Sequence, residues 1–171
     1  MALFETIPYQ VIRRDGKIEI RQYNDFLLAS TKTSMNSTMD SGFNNVFDYI
    51  AGGNSEQKKI SMTTPVVTYV DDQALVTGFY VPKKFSKSTA PKPNSGNVFI
   101  NEMNQAYYAV MRFRGSWRKS NLDKFDALLK KYLVDKGIRW MRNQLFFRYQ
   151  PPIVPGLFRR NEILYRIDSI E

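Results

Sequence analysis

Positions of like character recur at a fixed spacing of 80 residues: Val98, Ile100, Asn104 and Ala109 follow Ile18, Ile20, Asn24 and Ala29. In a chain of 171 residues, that spacing points to two copies of one plan. The first copy opens with Lys17-Ile18-Glu19-Ile20-Arg21, whose alternation of apolar and polar residues is the period of a half-buried strand. Asn24-Asp25 suits a two-residue hairpin turn, with residues 26–33 as the returning strand. Phe43, Val46, Phe47 and Ile50 then make an apolar stripe at helical spacing. Gly52-Gly53 ends that helix, because glycine takes the left-handed backbone of a helix C-terminus at little cost. Residues 60–69 and 74–81 form a second strand pair around Asp71-Asp72.

The second copy follows the same order. Asn104-Gln105 takes the hairpin turn and residues 106–114 the returning strand. Ser120-Asn121-Leu122-Asp123 resembles a capping box, with Asp where Glu or Gln is usual. The helix it opens shows Leu122, Phe125, Leu129, Tyr132 and Leu133 on one side, and Gly137 ends it. Residues 145–149 and 163–167 supply the last strands. Between the copies, residues 83–96 are rich in Ser, Pro and Lys and read as an exposed connection. The expectation is one α+β domain over 1–171, with pseudo-repeats at about 9–82 and 97–168. Each strand-strand-helix-strand-strand unit needs one sheet face covered, and one helix per unit can do so. Two such sheets make an open or distorted antiparallel β-barrel flanked by two helices.

Composition restricts the chemistry. The chain has no histidine and no cysteine. It therefore lacks an imidazole acid, base or ligand, a thiolate nucleophile, a zinc or iron–sulfur site, and a disulfide. Its 43% apolar and 14% aromatic residues must supply stability through a core. No stretch approaches the roughly 18 apolar residues of a membrane span, and the first residues lack a signal-peptide pattern, so a soluble, cytoplasmic monomer is expected. Neither a phosphate-binding glycine loop nor a nucleophile elbow is present. Glu162 and Glu102 are the best acid–base candidates, but no catalytic activity is expected.

Charge is uneven. Residues 1–80 carry 7 basic and 9 acidic groups, whereas residues 81–171 carry 18 and 7. Such asymmetry suits an anionic partner or a solvated surface. Residues 112–148 interleave basic groups with Trp117, Trp140, Phe146 and Phe147, as a nucleic-acid groove could. Lys124, Lys130 and Lys131 instead fit the solvated side of an amphipathic helix, so nucleic acid is not the expected partner.

Three segments go further: Tyr9-Gln10-Val11-Ile12-Arg13-Arg14 with Ile18-Glu19-Ile20-Arg21-Gln22-Tyr23; Lys59-Ile60-Ser61-Met62-Thr63-Thr64-Pro65-Val66; and Tyr149-Gln150-Pro151-Pro152 with Arg159-Arg160-Asn161-Glu162-Ile163. In this order they resemble the SOUL heme-binding protein family over nearly the whole chain. The resemblance implies a duplicated barrel of the gyrase-inhibitory-protein-like ligand-binding fold. It also implies non-covalent binding of heme or a related tetrapyrrole, with no catalytic activity common to the family. The site it implies lies beside the first helix, with Met35, Met39, Phe43, Val46, Phe47 and Ile50, and near the loop with Ile153, Val154, Leu157, Phe158, Arg159 and Arg160.

Physically, Arg160 and Glu162 fall on one face of an extended segment and suit a structural ion pair. The resemblance implies basic residues near heme propionates at positions that here hold Asp40, Asp48 and Val154, which leaves Lys58, Lys59, Arg159 and Arg160 as substitutes. Met35, Met39, Met62 or a tyrosine could in principle serve as an axial ligand. Binding by apolar contact alone would tolerate loss of the iron. The second expectation is a general module for small hydrophobic or anionic ligands, of the same fold but without heme affinity.

Overall fold

A computed structural model of the chain describes residues 4–37, 42–151, 153–168 and 170; Met39, Asp40 and Pro152 lie outside them. Among these residues the elements run β1 (Glu5–Thr6), β2 (Tyr9–Asp15), β3 (Ile18–Tyr23), β4 (Phe26–Ser34), α1 (Phe43–Ile50), β5 (Thr63–Thr64), β6 (Val66–Asp71) and β7 (Ala74–Tyr80). Then come β8 (Phe99–Met103), β9 (Ala106–Arg114), α2 (Lys119–Asp135), β10 (Trp140–Arg148), a 3-10 turn (Gly156–Phe158) and β11 (Arg160–Ile167). The fold is α+β and largely antiparallel, with two α-helices; β1 and β5 form a short parallel pair. The chain divides into two compact units, Met1–Ile7 with Asp25–Asn104 and Pro8–Asn24 with Gln105–Glu171.

In the first unit the antiparallel order is β6-β7-β4-β8. Asp72 and Gln73 both have positive φ, 46° and 65°, the backbone of the tight turn that joins β6 to β7. α1 packs through Val46, Tyr49 and Ile50 into a cluster with Leu27, Ala29, Ile60, Phe79, Val81 and Val98. The Tyr49 hydroxyl donates to the carbonyl of Pro91 at 2.7 Å, and Pro91 is buried. The 83–96 segment is therefore anchored to the core at Pro91, rather than being an exposed connection throughout.

In the second unit the order is β2-β3-β9-β11-β10. α2 seats Phe125, Leu129 and Leu133 inward, and Phe125 stacks on Phe113 of β9 with ring centroids 4.4 Å apart. The expected capping box does not form. The helix starts at Lys119 after Arg118, Asn121 donates to the Ser116 carbonyl, and Asp123 pairs with Lys119. Lys130 and Lys131 pair likewise with Asp126 and Asp135, while Lys124 lies over the Phe125 ring at 5.3 Å.

The expected hairpins across Asn24-Asp25 and Asn104-Gln105 do not form either. Both edges of β3 are taken by β2 and β9, and both edges of β4 by β7 and β8. The strands flanking each turn part company: residues 8–24 join the second unit and residues 25–104 the first. A turn sequence fixes local direction, but burial of the strands decides their partners.

Candidate functional site

Both helices end in the same way, and each ending shapes a cavity. At α1, Gly53 N–H bonds Asp48 C=O at 2.9 Å and Gly52 N–H bonds Tyr49 C=O at 3.3 Å, with Gly52 at φ 123°. These are the two bonds of a Schellman motif, which satisfies the last carbonyls and turns the chain away from the axis. At Gly53 a Cβ would lie 2.7 Å from the Asp48 carbonyl oxygen, so no side chain fits there. The buried Asn54 side chain then ties the loop. Its Nδ2 donates to the carbonyls of Tyr49 and Lys58 at 3.1 and 2.8 Å, and its Oδ1 accepts from the amides of Glu56 and Lys58. Ile60 N–H closes the loop onto Ile50 C=O at 2.8 Å.

The result is an open groove of about 300 Å³ lined by Phe47, Ile50, Ala51, Lys59, Ile60, Ser61 and Met62. Its most exposed aromatic is Phe47, at 46% exposure. Phe47 stacks on Phe43 with centroids 5.9 Å apart and planes 14° apart, and Phe43 meets the buried Phe79 edge-on at 5.1 Å. An aromatic series thus runs from the core to the groove, and a flat ring laid on Phe47 would extend it. Lys59 is the cation of the lining, and it is exposed.

The residues expected at a site are placed unequally. Phe47 and Ile50 line the groove; Phe43 supports Phe47 from behind. Val46 is wholly buried, a core residue and not a wall. Met35 sits half-exposed in the turn after β4. Asp48 is exposed and outside the lining. Val154, Leu157, Phe158, Arg159 and Arg160 belong to the second unit. There Leu157 and Phe158 are largely exposed, while Arg159 stacks on Trp117 at 4.2 Å and donates to the Val154 carbonyl at 2.8 Å.

The second unit holds a buried charge cluster that the alternating pattern conceals. Ile18, Glu19, Ile20 and Arg21 are all buried, so β3 is covered on both faces and not half-buried. Arg21 donates through Nη2 and Nη1 to the two oxygens of Glu162 at 2.5 and 3.0 Å, and through Nε to Glu19 at 2.7 Å. Tyr149 donates to Glu162 at 2.6 Å, and Arg160 reaches the same carboxylate at 3.3 Å. Arg14 and Arg112 lie 2.9 and 3.1 Å from Glu19. Burial alone would raise the pKa of both carboxyls. The hydrogen bonds and charge of Arg21 outweigh it and hold both below the ordinary carboxylate value. Burial pushes the Tyr149 hydroxyl well up, and the neighbouring Glu162 charge adds to it.

The sign of the pH effect follows. A carboxylate with a depressed folded pKa stabilises the fold fully above its unfolded value, about 4.3. That stability is lost as pH falls through the lowered folded values. Urea unfolding should therefore show a free energy independent of these two groups from about pH 5 to 7, and falling below about pH 4. Glu162→Gln should flatten the acid decline; an unchanged acid slope would remove Glu162 as its source.

Residues 4–166 match the family model described as SOUL heme-binding protein. The chain belongs to this family. Mouse Heme-binding protein 2 is 27% identical over 118 residues, covering 63% of this chain and 57% of that protein. Human Heme-binding protein 2 is 29% identical over 110 residues, covering 58% and 53%. The matched segment thus spans little more than half the length of these relatives. Among solved structures, the EcmrR C-terminal domain superposes with a TM-score of 0.67 at 12% identity, covering 95% of this chain and 99% of that one, which shows a shared fold.

In this SOUL chain the two most specific motifs have structural roles. Met62-Thr63-Thr64-Pro65-Val66 carries β5, the cis Thr64–Pro65 peptide and the start of β6; Thr63 donates its hydroxyl to the Tyr80 carbonyl. Arg160-Asn161-Glu162 opens β11. Asn161 is buried, accepts from the Trp117 indole at 2.8 Å and donates to the Gly115 carbonyl at 3.0 Å. The expected Arg160–Glu162 pair is present, but the bidentate partner of Glu162 is Arg21.

Proposed function

We propose that this chain binds a tetrapyrrole non-covalently in the α1 groove, by apolar contact and without a histidine ligand. The observation that carries the proposal is Phe47, exposed at the end of the Phe79–Phe43–Phe47 series and flanked by Met62 and Lys59. Phe47 would hold the ring by stacking, Ile50, Ile60 and Met62 would supply apolar contact, and Lys59 would offer a cation to a propionate. A volume of about 300 Å³ is at the lower end for ligand pockets, so the groove holds one face or edge of the ring without enclosing it. The proposed role is binding, not catalysis. The low pKa of Glu162 supports that reading, because a carboxylate fixed as an anion is poorly matched to proton transfer near neutral pH.

Absorbance titration tests the proposal. Hemin and iron-free protoporphyrin IX should bind with dissociation constants within a few-fold of each other. Phe47→Ala should weaken both by about tenfold to a hundredfold, the worth of one buried phenylalanine side chain. Lys59→Glu should weaken both by about two- to fivefold, in a salt-dependent way. Tight hemin binding with rejection of the free porphyrin would instead demand an iron ligand and refute the apolar mode.

The same reading treats the pseudo-repeats at about 9–82 and 97–168 as copies of one plan. Two registers support it: Ile20 stands opposite Ala109 in the second unit and Ala29 opposite Ile100 in the first, the same 80-residue relation.

A further inference from the structure

The second unit has its own cavity at the corresponding end of α2. Ile138 N–H bonds Leu133 C=O at 2.9 Å and Gly137 N–H bonds Val134 C=O at 3.0 Å, with Gly137 at φ 67°: again a Schellman ending. Just beyond it opens a cavity of about 490 Å³, larger than the α1 groove. Ile20, Ile138, Ile167 and Ile170 are its apolar lining; Ile20 and Ile167 are almost fully buried, and Ile138 and Ile170 present the part-exposed apolar surface. Among the described residues, Arg13, Lys136 and Arg139 are in the lining with one carboxylate, Asp168.

The charges are not all committed to the fold. Arg13 donates through Nη2 to the Tyr132 hydroxyl at 3.1 Å and lies 3.6 Å from Asp15, which accepts from Tyr132. Its Nε is buried and makes no hydrogen bond among the described residues. Lys136 and Arg139 are exposed; the ammonium of Lys136 is 5.9 Å from the Tyr132 ring centre. A helix C-terminus ordinarily favours cations. Here its last carbonyls already accept backbone bonds, so Lys136 and Arg139 remain to face an incoming ligand, with Arg13 held beside them by Tyr132 and Asp15.

We propose that this cavity is a second ligand site, for a small organic anion with an apolar body. The isoleucines would hold the body, and Arg13, Lys136 and Arg139 its charged group. The site is independent of the α1 groove, since the two linings share no residue and lie in different units.

The test uses decanoate as probe and decanol as its uncharged twin, titrated into the isotope-labelled full chain and followed by amide chemical shifts. Decanoate should move the amides of Ile20, Gly137, Ile138 and Arg139, and decanol should bind at least about tenfold more weakly. The double variant Lys136→Glu/Arg139→Glu changes exposed positions and should keep the native spectrum elsewhere while weakening decanoate by about tenfold or more. Phe47→Ala should leave decanoate binding unchanged. Absence of binding, equal affinity for decanol, equal affinity in the double variant, or shifts confined to Phe47, Ile50 and Met62 would each overturn the proposal. Porphyrin titrations of the same double variant should match the parent chain, which separates this site from the α1 groove.

Discussion

Arg21→Met should lower the unfolding free energy by about 3–5 kcal/mol, because it leaves two buried carboxylates without their central partner. Arg21 is fully buried between Glu19 and Glu162 at 2.7 and 2.5 Å. Taking a charge out of water costs several kcal/mol, and that cost is met here only through good geometry and shared hydrogen bonds. Once Arg21 is gone, Glu162 retains Tyr149 and longer contacts to Arg160 and Arg112, while Glu19 retains Arg14 and Arg112. Replacing Glu162 as well, in Arg21→Met/Glu162→Met, removes the buried anion that has lost its bidentate partner. It should recover more than half of the loss, since an apolar pair of similar volume is often no worse than a buried ion pair. Urea unfolding at pH 7, fitted with a common slope for the three proteins, measures this directly. A single-variant loss below about 1 kcal/mol would mean that water reaches the cluster.

Phe79→Ala should cost a similar amount, about 3–5 kcal/mol, by a different route. Phe79 is 2% exposed and sits in the cluster that receives α1, with Phe43 edge-on to it. Truncation removes the apolar transfer energy of a whole ring and leaves a cavity that a β-strand backbone cannot collapse to fill. It also removes the buttress of Phe43, and so of Phe47. Thermal unfolding should report the stability loss. Porphyrin titration below the new midpoint should report a weakened groove, whereas Leu133→Ala, in the core under α2, should lose stability with porphyrin affinity unchanged. Equal porphyrin affinity in Phe79→Ala and the parent would detach the aromatic series from binding.

Local periodicity made the elements readable but not their partners. The stripe Phe43, Val46, Phe47 and Ile50 predicts α1, and Gly52-Gly53 predicts its end, because both depend on neighbours within a turn or two. Alternation in Ile18–Tyr23 predicts β3 correctly yet misassigns its polar face. Glu19 and Arg21 look solvated in one sequence, and only the distant Glu162 shows that they are paired. The groove was half legible. Phe47 and Ile50 come from the helical stripe, but the wall from Lys59 to Met62 depends on the four hydrogen bonds of Asn54, which no periodicity announces. Asp48, which by position should oppose a propionate, is outside the groove lining. The cavity at the end of α2 had one visible sign, Gly137, and its basic rim comes from segments far apart in the chain.

The parting of the strands at Asn24-Asp25 has a consequence for how the protein is made. During synthesis β2 and β3 leave the ribosome early, but β9, which pairs with β3 along its full length, is made only after the whole of β4 to β8. Closing so long a loop costs entropy before any contact rewards it, and pairings of that kind fold slowly. The first hairpin must therefore wait with its inner edge open, and Arg21 gains its bidentate partner only when the last strand, carrying Glu162, arrives.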